Sequence, residues 1–183
     1  MQIARPRDDE ARSLEALRAL NVLDSAPEAQ FDALVQTASL VCGTPIALIS
    51  LIDADRQWFK ANVGLEGVTQ TDRDVAFCSH AVLGESLFEV PDAALDPRFS
   101  DNPLVVGAPG IRFYAGVPLH LEDGSNVGTL CVIDRQPRLL TTQQREILCH
   151  LAEAAVKGLE ARRWALRSRL RNQPLCPRAF MRR

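Results

Sequence analysis

No apolar run in these 183 residues approaches the roughly 18–20 needed to cross a bilayer. The opening residues, MQIARPRDDEARS, lack the apolar stretch of a secretory signal. The expected location is therefore the cytoplasm, with no membrane partner. Histidine is scarce: His80, His120 and His150 are the three present, and none stands in a ligand spacing such as HExxH, so no metal site is expected. The five cysteines are an odd number with no CxxC, which argues against a disulfide framework. Cys42, Cys131 and Cys149 fall in apolar-periodic segments and read as core thiols, while Cys176 falls in a polar tail. Phosphate-binding glycine loops are missing too. The nearest stretch, VVGAPG at 105–110, has neither the P-loop nor the dinucleotide pattern, nor the strand-to-helix setting. Kinase and cyclase signatures, internal repeats and low-complexity segments are also absent. No catalytic residue is assigned, and the expectation is that the chain is not an enzyme.

What is present suits one folded domain with an extension: 46% of residues are hydrophobic, enough for a substantial core. The net charge of −2 conceals an asymmetry. Up to Glu160 there are 23 acidic and 13 basic residues; beyond it stand eight arginines and no acid. A basic tail attracts anionic partners, but it has only Trp164 and Phe180 as aromatics and no nucleic-acid motif. Nucleic acid is thus not an expected partner, and the tail reads as the solvated end of a helix.

Hydrophobic spacing and turn chemistry lay out the elements. A first helix is expected over 8–20, with Leu14, Leu17 and Leu20 on one side. A second opens on the S-x-x-E of Ser25 and Glu28, a capping box with Pro27 in the first turn. It carries the stripe Phe31, Leu34, Val35, Ala38, Val41 and Cys42, and ends at Gly43. Residues 45–53 are apolar on both alternating faces, as a central strand must be. The turn DADR returns the chain as a second strand, in which Trp58, Lys60 and Asn62 share one face. Asp74 is expected to cap a short helix reaching Leu83. A short strand at 87–91 then leads into a long polar loop, 91–112, holding Pro91, Pro97, Pro103 and Pro109. Long ordered loops of this kind often cover a binding site. Two strands at about 112–121 and 126–134 follow. Thr141 and Gln144 form another capping box, opening a helix with a reach to Asn172.

Five blocks, PIALISLIDADRQWFKANVG (45–64), RDVAFCSHAVL (73–83), DPRFSDNPLV (96–105), IRFYAGVPL (111–119) and VGTLCVIDRQPR (127–138), together resemble a GAF domain. They are most similar to the bacterial sensor type found upstream of histidine kinases and diguanylate cyclases, and the resemblance runs from about Ser13 to Glu160. It implies a PAS-related α+β fold: a central antiparallel sheet of five to six strands, with N- and C-terminal helices on one face and a pocket on the other. The implied organisation is an N-terminal segment 1–12, the GAF domain 13–160, and a basic helix end and tail 161–183. Particular ligand classes of the family are not supported. The bilin-type Cys-His pair is replaced by Cys78-Ser79-His80, and Cys149-His150 lies in the last helix. The N-K-F-D-E signature of cyclic-nucleotide-binding members is missing. The closely spaced cysteines of free-methionine sulfoxide reductases are also missing, since Cys78 and Cys131 are far apart in sequence.

The resemblance places the pocket between the sheet and residues 73–112. It nominates Trp58 and Lys60 from the second strand, and Phe77, Cys78 and His80 from the short helix. Asp92, Phe99, Asp101 and Asn102 would come from the loop, and Arg112, Tyr114, Thr129 and Cys131 from the later strands. Lys60 and Arg112 are suited to an anion, although Arg112 pairing with Asp92 or Asp101 to hold the loop is an equal reading. Cys78 and His80 lie about 200° apart on a helix and do not form a nucleophilic pair. The expected function is a non-enzymatic sensor that takes an unidentified small-molecule ligand under the 91–112 loop, with cofactor unknown. Leu148, Ala152, Ala155, Leu159 and Leu166, interrupted by Arg162, form a helical seam suited to a homodimer, and part of that stripe must also pack on its own sheet. The sequence stops at Arg183 with no room for an output domain, so a signalling partner is expected in trans. Two alternatives stand beside this reading: a thiol redox sensor or reductase using Cys78 and Cys131, and an interaction module with a filled pocket.

Overall fold

A computed structural model describes residues 1–171 of the chain. Six strands form one antiparallel sheet in the order β3-β2-β1-β6-β5-β4. They are β1 (Ile46–Ile52), β2 (Arg56–Val63), β3 (Gln70–Asp72), β4 (Phe88–Val90), β5 (Phe113–His120) and β6 (Asn126–Asp134). The helices are α1 (Glu10–Ala19), α2 (Ala29–Cys42), α3 (Phe77–Ala81), α4 (Pro103–Val106) and α5 (Thr142–Arg171). The expected α+β architecture is present, with β3 as an edge strand that the sequence pattern does not announce.

Strand β1 is buried along its whole length, as its two apolar faces require, and it lies between β2 and β6. Its alternation divides the core. Ala47, Ile49 and Leu51 pack with Phe31, Val35 and Leu148 under α1, α2 and α5. Ile46, Leu48 and Ile52 pack with Phe77, Phe99 and Tyr114 on the other side, which α3, α4 and irregular chain cover. Gly128 allows β6 to lie close against β1, since a Cβ there would sit 2.0 Å from the Ser50 carbonyl oxygen.

Strand β2 departs from simple alternation. Its register on β1 shifts between Ile49, which pairs with Ala61, and Ser50, which pairs with Phe59. The unpaired residue is Lys60, a bulge that places one extra residue in the strand. Trp58, Lys60 and Ala61 therefore lie on the helix side, while Phe59 lies on the other. Trp58 and Lys60 face away from the side on which a pocket is expected.

The end of α2 follows expectation: Gly43 adopts a left-handed conformation (φ 62°) as its C-cap. Its start does not. The helix begins at Ala29 with Glu28 as N-cap, and no side chain caps it. Ser25 Oγ and the Ala26 carbonyl instead accept from Lys60 Nζ at 3.0 and 2.8 Å, and Glu28 pairs with the same ammonium at 2.6 Å. A buried ammonium left without acceptors is far costlier than a missing cap, so Lys60 takes the residues of the capping box. The second box is intact: Gln144 N donates to Thr141 Oγ1 at 3.2 Å, and Thr141 N donates to Gln144 Oε1 at 3.0 Å. The helix expected from Asp74 is split into a single 3-10 turn, Arg73–Val75, and the short α3, because Ala76 between them is extended.

Leu148, Ala152, Ala155 and Leu159 are fully or nearly fully buried in the domain's own core. That seam is consumed within the chain, so any pairing through α5 must use other positions. The side chain of Leu166 lies outside the described residues, as do Asn172 and Cys176. The N-terminal segment packs on the domain. Arg7, 5% exposed, donates to the Asn126 carbonyl at 2.6 Å and pairs with Glu10. No described helix is long and apolar enough to cross a membrane.

Candidate functional site

On the side of the sheet away from α1, α2 and α5 lies a cavity of about 500 Å³. Its floor is built by alternate residues of the central strands: Leu48 from β1, Gln57 and Phe59 from β2, Tyr114 from β5 and Ile133 from β6. Phe77 and Cys78 of α3 close one end, and two irregular segments form the walls. The first contains Gly64, Leu65, Glu66 and Val68. Asn62 holds it, donating from Nδ2 to the Leu65 and Val68 carbonyls at 2.6 and 3.0 Å. The second contains Leu104, Ala108, Pro109 and Ile111.

Polar side chains hold the second wall in place. Asn102 is 1% exposed; its Nδ2 donates to the Val75 carbonyl at 3.0 Å, and its Oδ1 accepts from Leu104 N at 2.8 Å. It therefore caps α4, which has Pro103 in its first turn. Arg135 Nε donates to the Pro109 carbonyl at 3.0 Å. At the base of the loop, Arg112 grips Asp92 with two parallel bonds of 2.7 and 2.6 Å. Those bonds hold the Asp92 carboxyl below its usual range. Of the two expected readings of Arg112, the structure adopts the one that closes the loop.

Aromatic rings order this side of the core. Phe77 stacks on Phe99 with centroids 4.1 Å apart, and on Tyr114 at 5.3 Å. Phe99 is fully buried behind the stack, so of these three rings Phe77 and Tyr114 reach the cavity. Tyr114 lies across Gly116, where a Cβ would meet the tyrosine hydroxyl at 2.2 Å. The missing side chain leaves room for that hydroxyl to donate to Cys78 Sγ at 3.2 Å.

Of the thirteen residues nominated from sequence, Phe77, Cys78 and Tyr114 line the cavity. Thr129 and Cys131 lie fully buried in β6, with Cys131 Sγ 3.9 Å from Cys78 Sγ. Asp92, Asn102 and Arg112 hold the wall without lining it, and Phe99 supports Phe77. His80 and Asp101 are engaged by the N-terminus. His80 Nε2 bonds the Gln2 carbonyl at 3.0 Å, and Asp101 pairs with the Met1 amino group. Burial, followed by the nearby Arg98, lowers the His80 pKa against the opposing effects of Gln2 and Asp96. Trp58 and Lys60 lie across the sheet, Lys60 with its ammonium 5.4 Å above the Phe31 ring.

Sequence reasoning missed Gln57, Phe59 and Ile111. The usable signal was the parity of β2: Gln57 and Phe59 share a face opposite Trp58, and Phe59 is the better apolar floor. Gln57 is 5% exposed; its Nε2 donates to Thr71 Oγ1 at 3.4 Å, and its Oε1 is buried with no partner. Among the described residues no group of three or more His, Cys, Asp or Glu is placed to hold a metal ion.

A sheet with helices on one face and a pocket on the other is the arrangement the resemblance implied, and the GAF domain family model matches residues 26–159. This chain belongs to the GAF domain family. The domain is 49% identical over 133 residues to a cyclic di-GMP phosphodiesterase of Pseudomonas aeruginosa, a match covering 73% of this chain and 22% of that protein. The chain thus spans about a fifth of the length of that relative. Among solved structures, the GAF domain of an Acinetobacter phosphoenolpyruvate-protein phosphotransferase superposes with a TM-score of 0.59 at 20% identity, covering 86% of this chain and 98% of that one. The blue-light-absorbing form of the Thermosynechococcus elongatus PixJ GAF domain gives 0.61 at 15% identity, covering 79% and 90%. These likenesses establish the fold. GAF domains are ligand-binding signalling modules, and this one retains the cavity.

Proposed function

We propose that this GAF domain is a cytoplasmic sensory module, without catalytic activity of its own, that takes a small and mostly apolar ligand into the cavity over β1, β2, β5 and β6. The supporting observation is the cavity itself: about 500 Å³, walled by aromatic and aliphatic side chains with few polar groups. A filled-pocket interaction module would leave no such space. The lining residues include one cation, Arg135, and one anion, Glu66. That pairing does not suit a ligand carrying two phosphates, which calls for several convergent donors. The unpartnered Gln57 Oε1 instead calls for a ligand with an N–H or O–H donor.

The wall 104–111 and the facing segment 64–68 are the parts that yield on entry, whereas 91–102 is anchored by Phe99, Asn102 and the Asp92–Arg112 pair. Strand β2 offers a route from ligand to helices. Gln57 and Phe59 face the cavity, and the neighbouring Lys60 is tied to Glu28 at the start of α2, which also pairs with Arg162 of α5. A ligand shifts this linkage only to the extent that it binds one arrangement more tightly. The kinship with a cyclic di-GMP phosphodiesterase supports an output in cyclic di-GMP turnover, exerted on a signalling partner or on a linked domain.

Native against denatured mass of the purified protein tests the reading, because a co-purifying ligand appears as excess mass lost on denaturation. For any ligand so found, Ile111→Trp, which fills the cavity, is expected to abolish binding. Gln57→Leu should weaken it about fivefold, the worth of one hydrogen bond of roughly 1 kcal/mol. Full affinity in Ile111→Trp would overturn the site.

A further inference from the structure

Cys78 and Cys131 are 53 residues apart in sequence, yet the fold brings their sulfurs to 3.9 Å. Cys131 sits in the middle of β6, between Leu48 of β1 and Gly116 of β5, and Cys78 faces it from α3. Cys78 also lines the cavity, so a small reagent that enters meets its sulfur first. The Tyr114 hydroxyl donates to that sulfur at 3.2 Å. The buried Ser50 and Thr129 hydroxyls, paired across β1 and β6, have no hydrogen-bond partner. Two thiols, one donor already engaged and two more hydroxyls free to turn are therefore gathered beneath the cavity.

Their environment distinguishes the two sulfurs. Burial pushes the Cys78 thiol up, but the contact with Cys131 and the hydroxyls of Thr129, Tyr114 and Ser50 outweigh it and bring the thiol down to about 7. The contact with Cys78, followed by burial, raises Cys131 well above its ordinary value. Elsewhere burial dominates. Cys42 is pushed up to about 11 against the opposing charge of Arg138, and burial also raises Cys149. The thiol of the cavity-lining residue is thus the one shifted toward thiolate, and its neighbour the one shifted toward the protonated form.

We propose that Cys78 and Cys131 form a reversible thiol–disulfide pair at the floor of the cavity, oxidised by hydrogen peroxide or a small organic peroxide that enters through it. The Cys78 thiolate attacks one peroxide oxygen and the O–O bond breaks. The departing oxygen takes up the proton that Cys78 has released and leaves as water, or as an alcohol from an organic peroxide, and Cys78 becomes a sulfenic acid. The Cys131 sulfur then attacks the Cys78 sulfur. The S–O bond breaks, hydroxide leaves with the Cys131 proton as a second molecule of water, and the disulfide remains. In sum, two thiols and one hydrogen peroxide give one disulfide and two waters, and an external dithiol reverses the step. Bond formation draws the sulfurs from 3.9 Å to about 2.0 Å, pulling α3 toward β6 and removing the acceptor of the Tyr114 hydroxyl. The cavity serves here as an entrance, with no ligand required, so this inference and the ligand reading fail separately.

The test is peptide mapping of the full chain after a brief, near-stoichiometric exposure to hydrogen peroxide, quenched by alkylation under denaturing conditions. The expected result is a 78–131 cross-link, loss of alkylation at both positions, Cys149 still alkylated, and full recovery after dithiothreitol. In Cys131→Ser the cross-link should vanish, and Cys78 should be trapped by dimedone as a sulfenic acid. Alkylation of Cys78 and Cys131 undiminished at a dose that already oxidises Cys149 would overturn the pair. Equal loss of the Cys131 thiol in Cys78→Ser and in the wild type would also overturn it.

Discussion

The two faces of the sheet solve the same burial problem in different ways. On one, three helices with apolar stripes lie against Ala47, Ile49, Leu51 and Trp58, and the space they leave is an open groove between β5 and α5, lined by Val117, His120, Cys149 and Glu153. Their backbone groups are satisfied internally, so apolar side chains are free to fill the interface. On the other, a five-residue helix, a four-residue helix and irregular chain do the covering. Irregular backbone must find partners among side chains, and Asn62, Asn102 and Arg135 are committed to that task, while Arg112 clamps the Asp92 side chain. Space is left beneath them. Regular elements cover one face, and irregular ones leave the cavity on the other.

That division is broken most severely by Trp58→Ala. Trp58 is 7% exposed on the helix face, and its truncation should cost about 3–5 kcal/mol in chemical denaturation. The affinity of any ligand of the cavity should be nearly unchanged in the protein that remains folded. A large loss of affinity without loss of stability would mean that Trp58 belongs to the site after all.

Glu28→Ala comes next. It leaves the Lys60 ammonium, whose side chain is 0% exposed, with only Ser25 and Ala26 as acceptors. The expected loss is about 2–3 kcal/mol, below the full cost of breaking a buried pair because two neutral acceptors remain. Glu28→Gln should recover part of it. If the linkage through β2 carries the signal, Glu28→Ala should also weaken the response of α5 to ligand, read by hydrogen exchange along the helix.

Gly116→Ala perturbs the cavity face alone. The new Cβ occupies the position of the Tyr114 hydroxyl and forces the ring off Cys78, at a cost of about 1–3 kcal/mol. The pKa of Cys78, followed by the pH dependence of its alkylation, should rise as one of its donors is withdrawn. An unmoved alkylation profile would show that Tyr114 does not tune this thiol.

The smallest effect concerns a tie between the faces. Glu10 of α1 binds Arg7 and also Arg73, which lies in the turn before α3. Partial burial pushes the Glu10 carboxyl up, but hydrogen bonds from Arg73 and Arg7 outweigh it and hold the group at about 2, against an ordinary value of 4.5. Its folded pKa is depressed, so its contribution is complete above about pH 4.5 and is lost as the pH falls toward 2. Glu10→Gln should flatten the acid limb of the stability profile in that window and cost the most stability above pH 4.5, where the contribution of the ionised carboxylate is complete. A steep acid limb that survives the substitution would place the effect elsewhere.

Periodicity and turn chemistry were enough for α2, the doubly apolar β1, the Thr141–Gln144 box and the antiparallel pair β5–β6. Each is a local pattern whose partner lies within a few residues or must be an apolar surface. The same logic oriented β2 wrongly. Trp58 and Lys60 look like site residues because they are chemically distinctive. Each face of β2 carries one large aromatic and a polar residue, so its pattern alone does not force which face meets the helices, and no local signal marks Lys60 as a bulge. The long loop borders the cavity through Leu104, Ala108, Pro109 and Ile111, yet Asp92, Asp96 and Asn102 spend their side chains on backbone groups.

The helices, the central strand and the family were legible from residue order, because they follow from hydrophobic spacing and from caps that act over three or four positions. Three features depended on tertiary structure: the side of the sheet to which Trp58 and Lys60 belong, the burial of the α5 seam in its own core, and the meeting of Cys78 with Cys131. Each joins residues far apart in the chain, and such contacts are set by how the sheet, its bulge and its covering layers pack together.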